Sequence, residues 1–230
     1  MLLGVGFVGT GHTARHKHDC DDHRRHRDDR FISGAPIARR SGDTEVISVS
    51  RKPLNISSAK LTEILVSDLA ELPSLALKLR GEIYFCCLGT TRQAAGSKEN
   101  FEKVDHTAIV EFAKIAQAHD AKSFTLISSG GANAKSKALY FQVKGRTEDD
   151  VKALGFRSLI IFQPGLLVGS RRDFRLAESV ASTVLVPISR LFPAGTRKRL
   201  VTQAETLAAR MLAEGKAAPE GVHIVPAKDI

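Results

Sequence analysis

The chain has 230 residues, 43% hydrophobic and 26% charged, which is ordinary usage for one soluble domain with its own core. No apolar run approaches the roughly 20 residues of a membrane span, so a transmembrane helix is excluded. The formal charge is +9, and Arg171, Arg172, Arg175, Arg190, Arg197, Lys198 and Arg199 stand near the C-terminus against only Asp173 and Glu178, but that stretch lacks the interleaved aromatic residues of a single-strand binder, and nucleic acid is excluded as a partner.

The start, Met1-Leu2-Leu3-Gly4-Val5-Gly6, has no basic flank and no long apolar stretch, so it is expected to be a first strand and not a secretory leader. Gly4-Val5-Gly6-Phe7-Val8-Gly9 matches G-x-G-x-x-G. One reading makes these residues a tight turn whose backbone N–H groups approach a pyrophosphate. That reading needs a helix beginning at the third glycine, where its dipole supports the anion. No helix-forming sequence follows, and a glycine-rich strand is the other reading of the same residues.

Residues 12–44 do not fit the surrounding pattern. Five of the eight histidines fall between His12 and His26, and no apolar stripe of helical period is present, so the stretch cannot pack as the first helix of a nucleotide-binding unit. Three readings are open: a solvated insert, a metal-binding tract, and a frame-shifted translation of what should be a helix. One cysteine among scattered histidines lacks the paired ligands of a zinc site, so no metal residues are assigned.

From Glu45 onward short apolar runs alternate with helical patterns. Strands are expected at Glu45–Ser50, Leu61–Ser67, Glu82–Leu88, Ser123–Ser128, Ser158–Gln163 and Val222–Val225, and helices at Glu102–Ala118, Lys137–Leu154 and Leu176–Phe192. Gly155 is a natural stop for the second of these helices. The alternation predicts an α/β fold, a doubly wound Rossmann-type parallel sheet in a single domain. Cys86 and Cys87 are adjacent on a strand and point to opposite faces, so they are read, with Cys20, as unpaired thiols of a reducing cytoplasm.

Candidate site residues gather at strand ends. Arg51 and Lys52 follow the second strand, where a cation accommodates the 2′-phosphate of NADP and a carboxylate would select NAD. Asp68, after the third strand, is a candidate partner for the adenine amino group. Leu88-Gly89-Thr90 closes the fourth strand and could lie against a ribose, with glycine permitting close approach. Ser128-Ser129 ends the fifth strand, and Tyr140 and Lys144 follow at a spacing that places both on one helix face. A nearby ammonium stabilises a phenolate, which makes Tyr140 a candidate general acid or base, while a serine hydroxyl polarises a carbonyl oxygen. Pro164, Gly165 and Leu167 leave the next strand where a nicotinamide would lie.

Taken in order, the glycine run, the cationic end of the second strand, Leu88-Gly89-Thr90, Val104-Asp105, Ser128-Ser129-Gly130-Gly131-Ala132, Tyr140-x-x-x-Lys144-Gly145 and Pro164-Gly165 resemble the atypical short-chain dehydrogenase/reductases of the HIV Tat-interacting-protein family and its bacterial relatives. The resemblance covers Glu45 to the C-terminus. It implies an NADP(H)-binding domain in which Ser129 orients a carbonyl (with Ser128 as the alternative), Tyr140 moves the proton, and Lys144 binds ribose and tunes Tyr140. Gly4, Gly6, Phe7, Val8 and Gly9 would hold the phosphates, and Arg51 the 2′-phosphate. The departure is at the N-terminus, where one residue is missing between the first two glycines and the second strand begins late. Two functions follow: an NADP(H)-dependent oxidoreductase acting on a small carbonyl or alcohol, or a non-catalytic NADPH-binding module that meets a protein or membrane surface through the basic C-terminal region. The substrate and the oligomeric state are not encoded in any motif.

Overall fold

The computed structural model describes residues 4–9, 45–168 and 201–230. The segment 12–44, Cys20, the helix expected at Leu176–Phe192 and the basic stretch from Arg171 to Arg199 lie outside the described residues.

The strands are β1 (Gly4–Gly9), β2 (Glu45–Ser50), β3 (Leu61–Leu65), β4 (Ile83–Cys86), β5 (Ser123–Ile127), β6 (Ser158–Gln163), β7 (Leu166–Val168), β8 (Val201–Gln203) and β9 (Gly221–Pro226). The helices are α1 (Arg92–Ala95), α2 (Lys98–Glu102), α3 (Ala108–Ala118), α4 (Leu139–Ala153) and α5 (Ala204–Ala217), with a 3-10 helix at Leu69–Lys78. Seven strands form the main sheet in the order β3-β2-β1-β4-β5-β6-β9, and β7 pairs with β8 separately.

The alternation of side chains along each strand sorts the core into two layers. Tyr84 and Cys86 of β4, and Leu159 and Ile161 of β6, face a layer built with Ile109, Phe112 and Ala116 of α3 and Leu72 of the 3-10 helix. Phe85 of β4, and Ile160 and Phe162 of β6, face the other way, onto Leu207 and Met211 of α5. Helices on both faces make the sheet doubly wound, as the sequence pattern requires. Cys86 joins the first layer and Cys87 the second, so the two thiols are back to back. The helix α4 ends at Gly155, whose φ of 70° is the left-handed value expected of a helix stop.

Three features differ from the expectation. The long helix expected at Glu102–Ala118 is interrupted by a π turn at Lys103–Thr107 between α2 and α3. The helix α5 adds to those expected; it packs so closely that Ser123 Oγ donates a 2.6 Å hydrogen bond to the Gly215 carbonyl. Finally, β1 runs antiparallel to both neighbours, while the remaining six strands of the sheet are mutually parallel. A strand followed by an amphipathic helix is held parallel by its crossover. The sequence after Gly9 encodes no such helix, and an antiparallel strand satisfies the same backbone groups on β2 and β4.

Two outcomes check this packing. A Cβ on Gly215 would stand 2.8 Å from Phe85 Cε1, so Gly215→Ala is expected to lower stability by about 1–2 kcal/mol despite alanine's better helix propensity, with Phe85→Leu restoring part of the loss in a urea melt. Burial pushes both Cys86 and Cys87 thiols up to about 12, away from the reactive thiolate form. In a Cys20→Ser background, neither should take up iodoacetamide in mildly alkaline buffer until the chain is unfolded; fast labelling of the folded chain would contradict the packing.

Candidate functional site

The C-terminal ends of β4, β5 and β6 present the residues that the sequence singles out. Between Ser129 and Ala138 the chain forms a loop fastened to itself and to α4. The Asn133 N–H donates to the Phe141 carbonyl at 3.0 Å, and Asn133 Oδ1 accepts from the Lys135 N–H at 2.9 Å. The loop lies directly on the helix at Gly145, where a Cβ would stand 2.1 Å from the Ala134 nitrogen. Glycine is therefore required there to admit the backbone, and α4 starts at a fixed distance from the end of β5.

On α4 the residues Tyr140, Lys144 and Glu148 succeed one another at one-turn intervals. Tyr140 is half-buried, its ring 5.9 Å from that of Phe101 and 5.4 Å from that of Phe141. Lys144 is only 5% exposed, and its Nζ lies 2.8 Å from Oδ1 of Asp105, which is wholly buried in the π turn. The other oxygen, Oδ2, accepts the Thr90 N–H at 2.7 Å, and the Asp105 carbonyl accepts from Thr147 Oγ1 at 2.8 Å. One residue thus joins the end of β4, the π turn and α4.

Burial opposes the charge on Lys144, but the attraction of Asp105 and then of Tyr140 outweighs it, holding the ammonium above the ordinary lysine range. Burial raises the Asp105 carboxyl, with Lys144 and the Thr90 amide pulling it back. The short contacts to a cation and an amide donor are those of a carboxylate, and it is as a carboxylate that it acts here.

Glu148 carries a second buried cluster. It accepts from Ser128 Oγ at 2.5 Å and from Gln163 Nε2 at 2.9 Å, tying the ends of β5 and β6 to α4. This separates the two adjacent serines. Ser128 is buried and committed to Glu148, whereas Ser129 is half-buried and makes only a 3.3 Å contact with the Gly130 carbonyl. Of the residues in these two clusters, Asp105 was visible in sequence only as part of a motif and Glu148 not at all; their signal is helical spacing, since Lys144 and Glu148 share a face. A cleft of about 410 Å³ lies beside this cluster, walled by Asn133, Lys135, Gly145 and Asp149 among others, but Tyr140 and Lys144 are not in its wall.

The remaining candidates divide. Gly89 adjoins the ion pair, and a Cβ there would stand 3.6 Å from both Lys144 Nζ and Asp105 Oδ1. Thr90 is buried beside it through its amide bond to Asp105. Leu88 is part of the hydrophobic core and has no free face for a ribose. Pro164 accepts the Gly130 N–H at 2.9 Å, Gly165 donates to Thr202 Oγ1 at 3.3 Å, and Leu167 is exposed. Arg51 is exposed at the end of β2. Asp68 is engaged within its own segment, where its carboxylate accepts the Ala70 N–H at 3.0 Å and caps the 3-10 helix in a reciprocal box with Glu71.

The glycine run requires a correction. Gly4, Gly6, Phe7, Val8 and Gly9 all lie within β1, and none forms a turn. Because β1 is reversed, Gly9 pairs with Glu45 at the start of β2, and Val8 with Ile83 at the start of β4. The third glycine is at the opposite rim from Tyr140 and Lys144. The strand reading of this motif holds and the phosphate-turn reading does not.

No family model matches the chain. It is 36% identical over 182 residues to the protein named fmp52, mitochondrial, of Aspergillus clavatus, covering 76% of this chain and 77% of that one. The chain belongs to the Fmp52 family, and its relatives uphold the resemblance to atypical short-chain dehydrogenase/reductases of the HTATIP2 type. A second fmp52 protein, of Emericella nidulans, is 42% identical over 144 residues, or 60% of this chain and 62% of that one. HTATIP2 of Rattus norvegicus is 41% identical over 117 residues, or 50% of this chain and 48% of that one. The matches thus span about six tenths of the first fungal relatives' own length. Among solved structures, MoeE5 in complex with UDP-glucose and NAD superposes with a TM-score of 0.58 at 16% identity, over 78% of this chain and 66% of that one. Bordetella bronchiseptica WbmH in complex with NAD+ gives 0.55 at 11% identity, over 77% and 65%. At such identities the likeness is one of fold. The fungal relatives are named mitochondrial, which overturns the expectation of a cytoplasmic protein.

The contact at Gly145 generates a direct check. Gly145→Ala would drive a methyl group into the backbone of Asn133 and Ala134, so it is expected to cost about 3 kcal/mol or more in a urea melt. Stability equal to that of the parent chain would show that the loop does not rest on α4.

Proposed function

We propose that this chain is an NADP(H)-dependent oxidoreductase acting on a small carbonyl or alcohol through Ser129, Tyr140 and Lys144. The observation that carries this reading is the pairing on α4 of a half-buried phenol with a buried ammonium one turn on, beside a glycine. Family membership and the NAD-bound neighbours of the same fold support it.

The residues at the C-terminal rim fit the nicotinamide end of a dinucleotide. Gly89 has no side chain to cover the Lys144 ammonium, and one of the three ammonium donors is used by Asp105, leaving others for ribose hydroxyls. The exposed Arg51, with Lys52 beside it, supplies the charge for a 2′-phosphate. The glycine run in β1 does not fit a pyrophosphate, and no phosphate contact is assigned to it.

When bound, a reduced nicotinamide supplies the hydride that adds to a carbonyl carbon. The protein's part is orientation and proton movement. Ser129 Oγ donates to the carbonyl oxygen, Tyr140 passes its phenolic proton to that oxygen as negative charge develops, and Lys144 stabilises the phenolate left behind. Ser128 takes no part, because its hydroxyl is spent on Glu148.

A second reading is an NADPH-binding or partner-binding module without turnover; the reversal of β1, which removes the phosphate turn, favours its partner-binding form. Titration of dihydronicotinamide fluorescence, with turnover followed on a panel of small aldehydes and ketones, separates the two. The oxidoreductase reading expects NADPH to bind about tenfold or more tighter than NADH, with Arg51→Ala removing the difference. It also expects Tyr140→Phe to retain binding while turnover falls about 100-fold or more. Binding without turnover on any substrate would favour the NADPH-binding module, and no binding of either nucleotide would sink the oxidoreductase and leave only a partner-binding module.

A further inference from the structure

Resting on that reading of Tyr140 and Lys144, we propose that Asp105 is the positioning residue of the pair: its carboxylate pins the Lys144 ammonium against the end of β4 and offsets its charge, setting how strongly Lys144 acts on Tyr140. Asp105 is fully buried, and its two oxygens are divided between Lys144 Nζ at 2.8 Å and the Thr90 N–H at 2.7 Å. Its own carbonyl is held by Thr147, one turn beyond Val143 on α4. The carboxylate therefore cannot swing away from the lysine without also breaking its bond to the Thr90 amide, and the Thr147 bond holds the backbone behind it in place. A π turn of this kind is the device that brings such a side chain inward, because the extra residue widens the helix and re-aims its neighbours.

The consequence is electrostatic. A lone buried ammonium would pull strongly on a phenol one turn away; an ammonium with a carboxylate at 2.8 Å presents a much smaller net field. Among the described residues the groups facing the pair are few. Tyr140 lies on the same helix, the Cys86 thiol on β4 is held neutral by burial at about 12, and Thr90 contributes an uncharged amide. His106, next in sequence to Asp105, is directed to Asp150 at 2.6 Å, and Glu148 is directed to Ser128 and Gln163. Among the described residues Asp105 is thus the anion placed to govern Lys144.

The composition makes this measurable on the intact chain without substrate. There are two tyrosines and no tryptophan, so the near-ultraviolet tyrosinate band reports only Tyr84 and Tyr140. Tyr84 is buried, donates to the Leu79 carbonyl, and is raised well above the ordinary range, so a Tyr84→Phe background isolates Tyr140. In that background Asp105→Asn, which keeps an acceptor for the Thr90 amide but removes the charge, is expected to increase the ionisation constant of Tyr140 about tenfold. With Lys144→Met also present, Asp105→Asn should change nothing. An unmoved titration in Asp105→Asn, or the same shift with and without Lys144, overturns the proposal, since a merely structural role would not depend on the lysine. Should Asp105→Asn fail to fold, the side-chain NH3+ resonance of Lys144 in the parent chain decides: a slowly exchanging signal near neutral pH supports the pinned ammonium, and its absence overturns it. NADPH titrations run alongside keep the two claims apart. Failure of the parent chain to bind NADPH removes the functional reading, while an unmoved tyrosinate with intact binding removes only the role of Asp105.

Discussion

The candidate site is organised around one ion pair, between a carboxylate in a π turn and an ammonium on the helix opposite. Two charges taken out of water resist burial, and they are tolerated only when each is answered by the other and by further donors. Here Lys144 answers Asp105, the Thr90 amide occupies the second oxygen, and Thr147 fixes the carbonyl behind it. Removing either partner would strand the other in the core, a loss on the order of 3–5 kcal/mol in comparable buried pairs. That cost couples the geometry of the rim to the stability of the fold.

A second constraint works beside it. Gly145 allows the loop after β5 to rest on α4, and Glu148 binds the ends of β5 and β6 to the same helix. Together these contacts deliver Tyr140, Lys144 and Ser129 from two segments to one rim. Each is set by a residue type with no ready substitute: glycine where the backbone approaches, and a carboxylate where a hydroxyl and an amide converge.

The alternation of apolar runs was enough to read the doubly wound sheet, because a two-residue period in β4 and β6 leaves only one way to divide Tyr84 from Phe85 and Leu159 from Ile160. The Tyr-Lys spacing was equally legible, since helix periodicity alone puts both on one face. What stayed hidden was anything decided across the sheet. The choice between Ser128 and Ser129 depends on Glu148, twenty residues further on in the chain, and the capping of the 3-10 helix by Asp68 competes with the adenine role that its position invites. The direction of β1 was hidden for the opposite reason. The glycine pattern is local and familiar, but its meaning depends on the helix that should follow, and the residues after Gly9 do not spell one.

The reversal of β1 bears on how much change the chain tolerates near its start. A parallel neighbour must be reached by a crossover of a dozen residues or more, carrying the chain from one rim of the sheet to the other. An antiparallel neighbour begins where its predecessor stops, and Gly9 indeed sits across from Glu45. The ends of the intervening segment are therefore adjacent whatever its length or composition, and lengthening it raises the closure entropy only logarithmically. A stretch of foreign sequence at this point leaves the sheet's register untouched.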